Sequence, residues 1–203
     1  SRNAFALGPG HGVVTKDGTL IIPCWMVLRS ENVPLKAHMP SVIATLCSKN
    51  NGKTWFLGER IPCGNDVVCP NETAASVLSD GRIYLNIRCE TAYRASSVGK
   101  NGYEGWSVAA LDKRLADPRC FGSLAVCDRP GFPHTIFFIN CENKDERKNL
   151  VLKASADDTK NWDFRLVIDE NRGGYADIAF DPKEEKIYII YEDDFGREVF
   201  LAV

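Results

Sequence analysis

The sequence predicts an all-β fold, and within that class a β-propeller of which about four blades are present. Three observations lead there: almost no stretch has helical periodicity, short alternating runs are separated by Asp-Gly, Asn-Gly or Gly-Pro turns, and one turn motif recurs at long, regular intervals. With 203 residues, 44% of them apolar and 26% charged, the composition is that of an ordinary globular protein. At roughly fifty residues per blade, the chain supplies about four blades.

About fourteen short runs have the alternation or apolar content of strands. They are residues 19–28, 41–47, 54–61, 74–78, 82–88, 93–97, 105–111, 122–127, 134–140, 149–155, 164–168, 175–180, 186–191 and 198–203. Many short strands with turns between them are typical of a sandwich, a barrel or a propeller.

A repeated turn motif favours the propeller among these three. Residues 48–55 read Ser-Lys-Asn-Asn-Gly-Lys-Thr-Trp, residues 155–162 repeat this in weaker form, and a still weaker copy covers 97–106. The starts of the copies are separated by 49 and 58 residues, which suits one four-stranded blade per repeat.

Charge and cysteine content exclude several classes of function. A formal net charge of −2 gives no general attraction to nucleic acid or anionic membrane, and no apolar run is long enough to span a bilayer. The eight cysteines form no Cys-x-x-Cys pair and the histidines are scattered, which argues against zinc; nothing indicates a cofactor or another metal. Disulfides, with Cys63–Cys69 the easiest closure, and buried free thiols both remain open. The chain begins at Ser1 without a signal peptide, so we expect a processed chain or a fragment.

One predicted hairpin places two opposite charges at the same rim. Its strands flank the Asp80-Gly81 turn; Glu72 opens the first strand and Arg88 closes the second. Because the start of one strand and the end of its partner lie together, the carboxylate and the guanidinium emerge side by side. Taken alone, this pair reads as a salt bridge at the end of two strands.

The repeated turn resembles the Asp-box of sialidases and related propellers. In such a turn the third residue, here Asn50, accepts hydrogen bonds from backbone amides, Gly52 adopts a positive φ, and Trp55 packs into the blade. The last copy departs from the pattern, with Thr159 in place of glycine and Asn161 in place of threonine. We predict a structural role for these turns and no catalytic one.

Other segments resemble the bacterial-type exo-α-sialidase family, in the family's order. Asn-Glu-Thr at 71–73 followed by Arg88 is similar to one signature of that family. Further resemblance is found at residues 8–12 with 17–23, at 118–123 (where Phe121 replaces a frequent glutamine), at 145–150 and at 173–177. The match therefore spans nearly the whole chain.

The resemblance implies an enzyme that releases terminal α-linked sialic acid from glycans with retention of configuration. It implies Tyr175 as the nucleophile, Glu72 as its assisting base, and Arg88 and Arg147 as ligands of the substrate carboxylate. Glu192, in a Tyr-Glu pair that the family places near its site, is expected to orient an arginine. The expected partners are sialylated glycans or glycoproteins, and the substrate class favours a secreted, periplasmic or cell-surface location.

The chemistry explains this choice of residues. Sialic acid carries a carboxylate on its anomeric carbon, which would repel an Asp or Glu nucleophile, and sialidases use tyrosine instead. A free phenol with a pKa near 10 is a poor nucleophile, so a carboxylate must take its proton. Arginine binds a carboxylate through a planar fork that lysine cannot reproduce.

The match fails at the beginning of the family pattern. The family has six blades, and roughly its first third, which carries the first arginine and the acid/base aspartate, has no counterpart here. Neither Arg2 nor Asp17 fits those roles, because Arg2 lacks the accompanying Ile-Pro and Asp17 lies in a turn. We therefore expect the C-terminal part of a larger sialidase, or a chain that pairs with a second one; closure into a smaller ring is the remaining option.

The sequence leaves two other functional interpretations open. In one, the protein is a glycan-binding module in which the two arginines hold a carboxylate without catalysis. In the other, it is a structural propeller with no sugar site. The latter requires that Glu72, Arg88, Arg147 and Tyr175 do not converge on one pocket.

Overall fold

The structure, a computed structural model, describes residues 2–28, 39–193 and 196–203, except for the side chains of residues 2 and 3. These residues form sixteen strands and no helix. The strands are β1 (Arg2–Leu7), β2 (Val13–Val14), β3 (Leu20–Leu28), β4 (Ser41–Ser48), β5 (Phe56–Leu57), β6 (Thr73–Val77), β7 (Ile83–Ile87), β8 (Tyr93–Gly99), β9 (Ala110–Ala116), β10 (Ser123–Cys127), β11 (Thr135–Cys141), β12 (Leu150–Ser155), β13 (Phe164–Asp169), β14 (Ala176–Asp181), β15 (Lys186–Glu192) and β16 (Val199–Ala202).

The strands form four antiparallel sheets arranged as the blades of a β-propeller, as predicted. Blade 1 contains β1 to β5, blade 2 contains β6 to β9, blade 3 contains β10 to β13, and blade 4 contains β14 to β16. The first strand of each of blades 2, 3 and 4 is its inner strand; β6 packs beside β10, and β10 beside β14. Within the described residues, no helix is available that could cross a membrane.

The inner edge of blade 1 is divided between two short strands. Strand β1 pairs with the C-terminal half of β3, and β2 pairs with its N-terminal end. Between them lies the 8–12 loop, with the sequence Gly-Pro-Gly-His-Gly, whose Gly8 amide donates to the Pro23 carbonyl over 2.8 Å. A Cβ on Gly8 would lie 2.4 Å from the Thr73 carbonyl oxygen, so only glycine lets this loop approach blade 2 so closely.

The blades bury both faces of their central strands. Ile83, Leu85 and Ile87 of β7 join the cluster shared with blade 1, whereas Tyr84 of the same strand joins the cluster shared with blade 3. The predicted hairpin is confirmed, and Asn86, a polar residue that alternates with the apolar residues of β7, is fully buried. A blade between two others has no solvent face, so a polar residue there is a buried partner of other polar groups.

The two clearest Asp-box turns have the predicted geometry. Asn50 Oδ1 accepts the amide of Thr54 over 2.9 Å, and Gly52 has a φ of 79°. In the degenerate copy Thr159 adopts the same left-handed region with a φ of 65°. The expectation that the tryptophan of the first copy packs into the blade is wrong: Trp55 is 40% exposed and its indole donates to the Gly52 carbonyl.

Some strands were missed or misplaced from sequence. Strands β1 and β2 were not predicted because each is a short piece of one interrupted edge. The predicted strand 105–111 is wrong in position, since β9 runs from Ala110 to Ala116 and includes Asp112, Lys113 and Arg114. Because β9 is the outermost strand of blade 2, one of its sides is exposed and can carry charged residues. The apolar residues before Ala110 had suggested that the strand begins earlier.

None of the eight cysteines forms a disulfide within the described residues. The Cys63–Cys69 closure that the spacing permits is not formed, and six of the eight thiols are buried. Here the cysteines serve as small apolar residues of the blade cores.

Candidate active site

The candidate site is built from equivalent positions in consecutive blades. Glu72 immediately precedes β6, Phe121 lies two residues before β10, and Tyr175 immediately precedes β14. Because inner strands of neighbouring blades lie side by side, the residues that precede them meet at one rim of the propeller. The fold thus brings together side chains that are 49 and 54 positions apart in the chain.

The Tyr175 hydroxyl lies between a carboxylate and a guanidinium. It donates to Glu72 Oε1 and accepts from Arg88 Nη1, with an N–O distance of 3.0 Å. Arg88 Nη1 also pairs with Glu72 Oε2. Three of the residues singled out from sequence are therefore in direct mutual contact, which is the convergence that a purely structural propeller would lack.

The backbone of the predicted hairpin fixes two of these side chains. The amide of Arg88 donates to the Glu72 carbonyl over 2.9 Å, and the amide of Asn71 donates to the Arg88 carbonyl over the same distance. The side chains of Glu72 and Arg88 are each 10% exposed and lie at the end of the β6–β7 ladder. Glu72 and Arg88 thus share one rim, as predicted, and present a preformed ion pair to Tyr175.

Arg147 and Glu192 approach the tyrosine from other directions. Arg147 lies in the loop between β11 and β12, and its guanidinium carbon is 5.6 Å from the centre of the Tyr175 ring. Glu192 Oε1 accepts the backbone amide of Tyr175 over 3.2 Å, and the amide of Glu192 donates to the Tyr175 carbonyl over 3.1 Å. The contact that the structure gives Glu192 thus fixes the main chain of Tyr175; the expectation that it orients an arginine stays a prediction.

The surroundings of Tyr175 keep its phenol protonated. Burial raises the pKa of Tyr175, and the hydrogen bond and negative charge of Glu72 raise it further, against the opposing effect of Arg88. A phenol in this setting does not ionise at neutral pH. The carboxylate of Glu72 accepts the hydrogen bond of this phenol and is therefore the group positioned to receive its proton.

Arg88 keeps capacity for a further acceptor. Its Nη2 is 4.0 Å from Glu90 Oε1, and its Nε has no hydrogen-bond partner within the part of the chain that the structure describes. Buried donors in folded proteins are nearly always paired, so an incompletely satisfied guanidinium needs an explanation. A ligand with an anionic group is one.

A cavity of about 330 Å³ opens beside the tyrosine, lined by Gly10, Phe121, Tyr175, Asp177 and Glu192 among others. A larger groove of about 430 Å³ lies between blades 3 and 4, lined almost entirely by apolar side chains such as Phe137, Phe164 and Leu166. Glu185 and Lys186 supply the charge in its lining, and the groove shares no lining residue with the cavity beside Tyr175. The smaller cavity, with charged groups on one side, is the candidate site.

Sequence reasoning missed part of the lining. Phe121, noted only as a departure from a family pattern, packs its ring 5.9 Å from the ring of Tyr175. Asp177 also lines the cavity, and its Oδ1 lies 3.0 Å from His11 Nδ1. The position of Phe121 was the signal that could have found it, because it lies within two residues of the start of the inner strand of blade 3, close to where Glu72 and Tyr175 lie in their blades.

The two residues considered and rejected for the missing roles have other surroundings. Asp17 accepts hydrogen bonds from Thr15 Oγ1 and from the Thr19 amide, so it holds the turn between β2 and β3, as expected. The side chain of Arg2 lies outside the described residues.

Comparison with known proteins gives a consistent set of relatives. The family model described as "BNR repeat-like domain" matches residues 1–189. A sialidase of Bacteroides fragilis is 29% identical over 97% of this chain and 35% of its own length, and a sialidase of Clostridium perfringens is 30% identical over 91% of this chain and 49% of its own length. The chain thus spans half or less of the length of these curated relatives.

Solved structures share the fold. The Hadza microbial sialidase Hz136 superposes with a TM-score of 0.79 at 23% identity, covering 96% of this chain and 36% of that one. The intramolecular trans-sialidase of Ruminococcus gnavus, solved in complex with oseltamivir carboxylate, superposes with a TM-score of 0.77 at 19% identity, covering 98% of this chain and 42% of that one.

Proposed function

Because this chain belongs to the BNR repeat-like domain family, we propose that it forms the nucleophile-bearing part of a retaining exo-α-sialidase. The observation that carries the proposal is the contact of the Tyr175 hydroxyl with both Glu72 and Arg88. The substrates would be glycans or glycoproteins that end in α-linked sialic acid. The sialidase names of relatives from several organisms support the same chemistry.

In this proposal Tyr175 attacks the anomeric carbon. The phenol oxygen forms a bond to that carbon while Glu72 takes the phenolic proton, and the bond to the aglycone breaks. A neutral nucleophile is suited to this carbon because the substrate carboxylate would repel a charged one. Water then attacks the anomeric carbon, the bond from that carbon to the tyrosine oxygen breaks, and Glu72 returns its proton to that oxygen. The proton lost by the attacking water passes to solvent, which also supplies the proton taken up by the departed aglycone, and two inversions give net retention.

Arg88 and Arg147 would bind the substrate carboxylate. The Nε of Arg88 has no hydrogen-bond partner among the described residues, and the guanidinium carbon of Arg147 in blade 3 lies 5.6 Å from the centre of the Tyr175 ring. An anion beside Tyr175 would therefore meet positive charge from two blades. Charge-assisted hydrogen bonds to a carboxylate are about twice as strong as neutral ones. We assign no residue of this chain to protonation of the leaving oxygen.

The test is turnover of an aryl sialoside, whose phenol leaves with little help from an acid. We expect Tyr175→Phe to lower kcat/KM by a factor of about 10³ or more, and Glu72→Gln to lower it by a factor of about 10²–10⁴, the range for loss of a positioned base. The matched control is Tyr188→Phe, which removes a hydroxyl of β15 in blade 4 that donates to Glu184 in the turn before that strand.

Full activity in Tyr175→Phe would show that the proposal is wrong. Sialic acid that binds to the wild-type chain and to Tyr175→Phe equally well, without turnover by either, would favour the glycan-binding alternative.

A further inference from the structure

The 8–12 loop of blade 1 is connected to blade 4 by a single ionisable pair. His11 Nδ1 lies 3.0 Å from Asp177 Oδ1. Asp177 belongs to β14 and follows Tyr175 by two residues. The pair therefore connects blade 1 to strand β14, which directly follows Tyr175, the proposed nucleophile.

The same loop forms a wall of the cavity that contains Tyr175. Pro9 and Gly10 line that cavity. Gly10 lies against Phe121, since a Cβ at this position would be 2.9 Å from the ring atom Cζ, and the Phe121 ring is in turn 5.9 Å from the Tyr175 ring. A displacement of the loop would open this wall and loosen the packing beside the tyrosine.

Asp177 is the fixed member of the pair and His11 the releasable one. Asp177 Oδ1 also accepts from Ser123 Oγ over 2.6 Å and from the Ile178 amide over 3.0 Å. His11 is carried by a glycine-rich loop, and its side chain is 44% exposed, so water competes for the contact. The His11 ring also bonds the backbone of Leu124 in blade 3, so the charged ring has an acceptor for each of its two N–H groups. The neutral ring keeps one N–H and must give up one of the two contacts, which loosens the loop without disturbing the other bonds of Asp177.

We propose that His11 and Asp177 form a proton-controlled latch that holds the 8–12 loop against Phe121 and Tyr175. In the sialoside chemistry proposed above, on which this reading of the latch rests, both are positioning residues: they shape the wall of the substrate cavity and do not touch the reacting atoms.

The pH range of the latch follows from the two groups. The hydrogen bond with Asp177 raises the pKa of His11, although burial opposes this. Burial acts to raise the pKa of Asp177, but the hydrogen bonds from His11 and Ser123 outweigh it, and the pKa is lowered. The charged pair is therefore complete between these two pKa values. It is lost as the pH rises through the raised pKa of His11, or as it falls through the lowered pKa of Asp177.

Other charged groups face the same region but have different contacts. Lys16, Asp128 and His134 line a cavity that His11 also borders. His134 Nε2 is 3.0 Å from the Val77 carbonyl and its Nδ1 is 3.6 Å from Asp128 Oδ1. The chain thus contains a second histidine–aspartate pair, which lies outside the wall beside Tyr175 and provides a matched control.

The first experiment is an NMR titration of the full chain without ligand, from about pH 5 to 9, the range in which histidines titrate. We expect the His11 ring, the Gly10 and Gly12 amides and the Tyr175 ring to follow one curve with a midpoint above the ordinary histidine value. In His11→Gln, whose side-chain amide can donate to Asp177 at every pH, the Gly10, Gly12 and Tyr175 signals should no longer titrate. Because no sialoside is present, this result does not depend on the proposed activity.

The second experiment uses an aryl sialoside at about pH 6. We expect His11→Ala to raise KM about tenfold, equivalent to about 1.4 kcal/mol, with kcat changed less than about twofold, since the latch shapes binding rather than the chemical step. His11→Gln should restore KM to nearly the wild-type value, and Asp128→Asn should leave it unchanged.

Two results would overturn the latch: Tyr175 and Gly10 signals that do not follow the His11 titration, or an Asp128→Asn variant that raises KM as much as His11→Ala does. If the common titration is seen but no variant or wild-type chain turns over sialosides, the latch stands and the proposed function fails.

Discussion

Two arginines of blade 2, six positions apart in the sequence, lie in opposite environments. Arg94 is fully buried, and its guanidinium reaches Asn86 Oδ1 at 2.6 Å, the Cys120 carbonyl at 2.6 Å and Asp117 Oδ2 at 3.4 Å. Arg88 is at the rim, pairs with Glu72 and Tyr175, and retains a donor without a partner among the described residues. Arg94 therefore belongs to a closed network of hydrogen bonds, whereas Arg88 belongs to an open network that can still accept a ligand.

The difference separates a structural ion pair from one arranged for a ligand. The Arg94 network connects β7 and β8 to the segment 117–120, which leads into blade 3, and Asp117 is itself held by the Cys120 amide and by Asn140. Burial raises the pKa of Asp117. A buried carboxylate such as Asp117 is stabilised in its charged form by a nearby cation, here Arg94. The Arg94 network should therefore contribute to stability, and the network of Arg88, Glu72 and Tyr175 to function.

The largest expected effect tests the closed network. Arg94→Met should lower the free energy of unfolding by about 3–5 kcal/mol, the range for breaking a buried pair and leaving its partner uncompensated. Urea denaturation of the full chain measures it. The control is Arg82→Met, which breaks an exposed pair with Asp80 and should cost less than about 1 kcal/mol. Equal losses of unfolding free energy in the two variants would mean that the buried network contributes no more to stability than an exposed ion pair does.

A smaller effect, seen in function instead of stability, is expected at the open network. Arg88→Lys keeps the charge beside Glu72 but loses the planar fork, so we expect kcat/KM for an aryl sialoside to fall about 100-fold, equivalent to about 3 kcal/mol. The free energy of unfolding should change by less than about 1 kcal/mol. Arg94→Lys should show the reverse: a clear loss of stability, and unchanged kinetic constants for the fraction that remains folded. A large stability loss in Arg88→Lys would remove the distinction between the two arginines.

The two networks also differ in how far the sequence predicts them. Glu72, Arg88 and Tyr175 were found from a hairpin and a family resemblance, and the structure places them in contact; their catalytic roles remain proposals. Arg94 and its partners carry no such signal, because no motif or turn in the sequence connects Arg94 with Asn86, Asp117 and Cys120. Only the arrangement of the blades shows that β7 is covered on both sides, so that a polar side chain there must find buried partners.

The same limit applies to the rest of the fold. Turn residues such as Asp80-Gly81 predicted hairpins from local sequence alone, and the spacing of the repeated turn, together with the chain length, predicted about four blades. The 8–12 loop could not be placed in this way, because its conformation depends on Thr73 and Phe121 in two other blades. Local patterns predict strands and turns, whereas contacts between blades depend on the assembled propeller.

The smallest expected effect concerns Glu90, at the margin between the two environments. Its carboxylate lies 4.0 Å from Arg88 Nη2 and its side chain is partly exposed, so the interaction is screened by solvent and worth at most about 1 kcal/mol. In Glu90→Gln, a negative charge that competes with a carboxylate ligand for Arg88 is removed. KM for an aryl sialoside should therefore fall, by no more than about threefold, and kcat should stay constant. Glu146→Gln is the control, since that carboxylate pairs with Lys148 on an exposed part of the loop that carries Arg147. A KM that rises in Glu90→Gln alone would mean that Glu90 orients Arg88 instead of competing for it, and the open network would then include a fourth member.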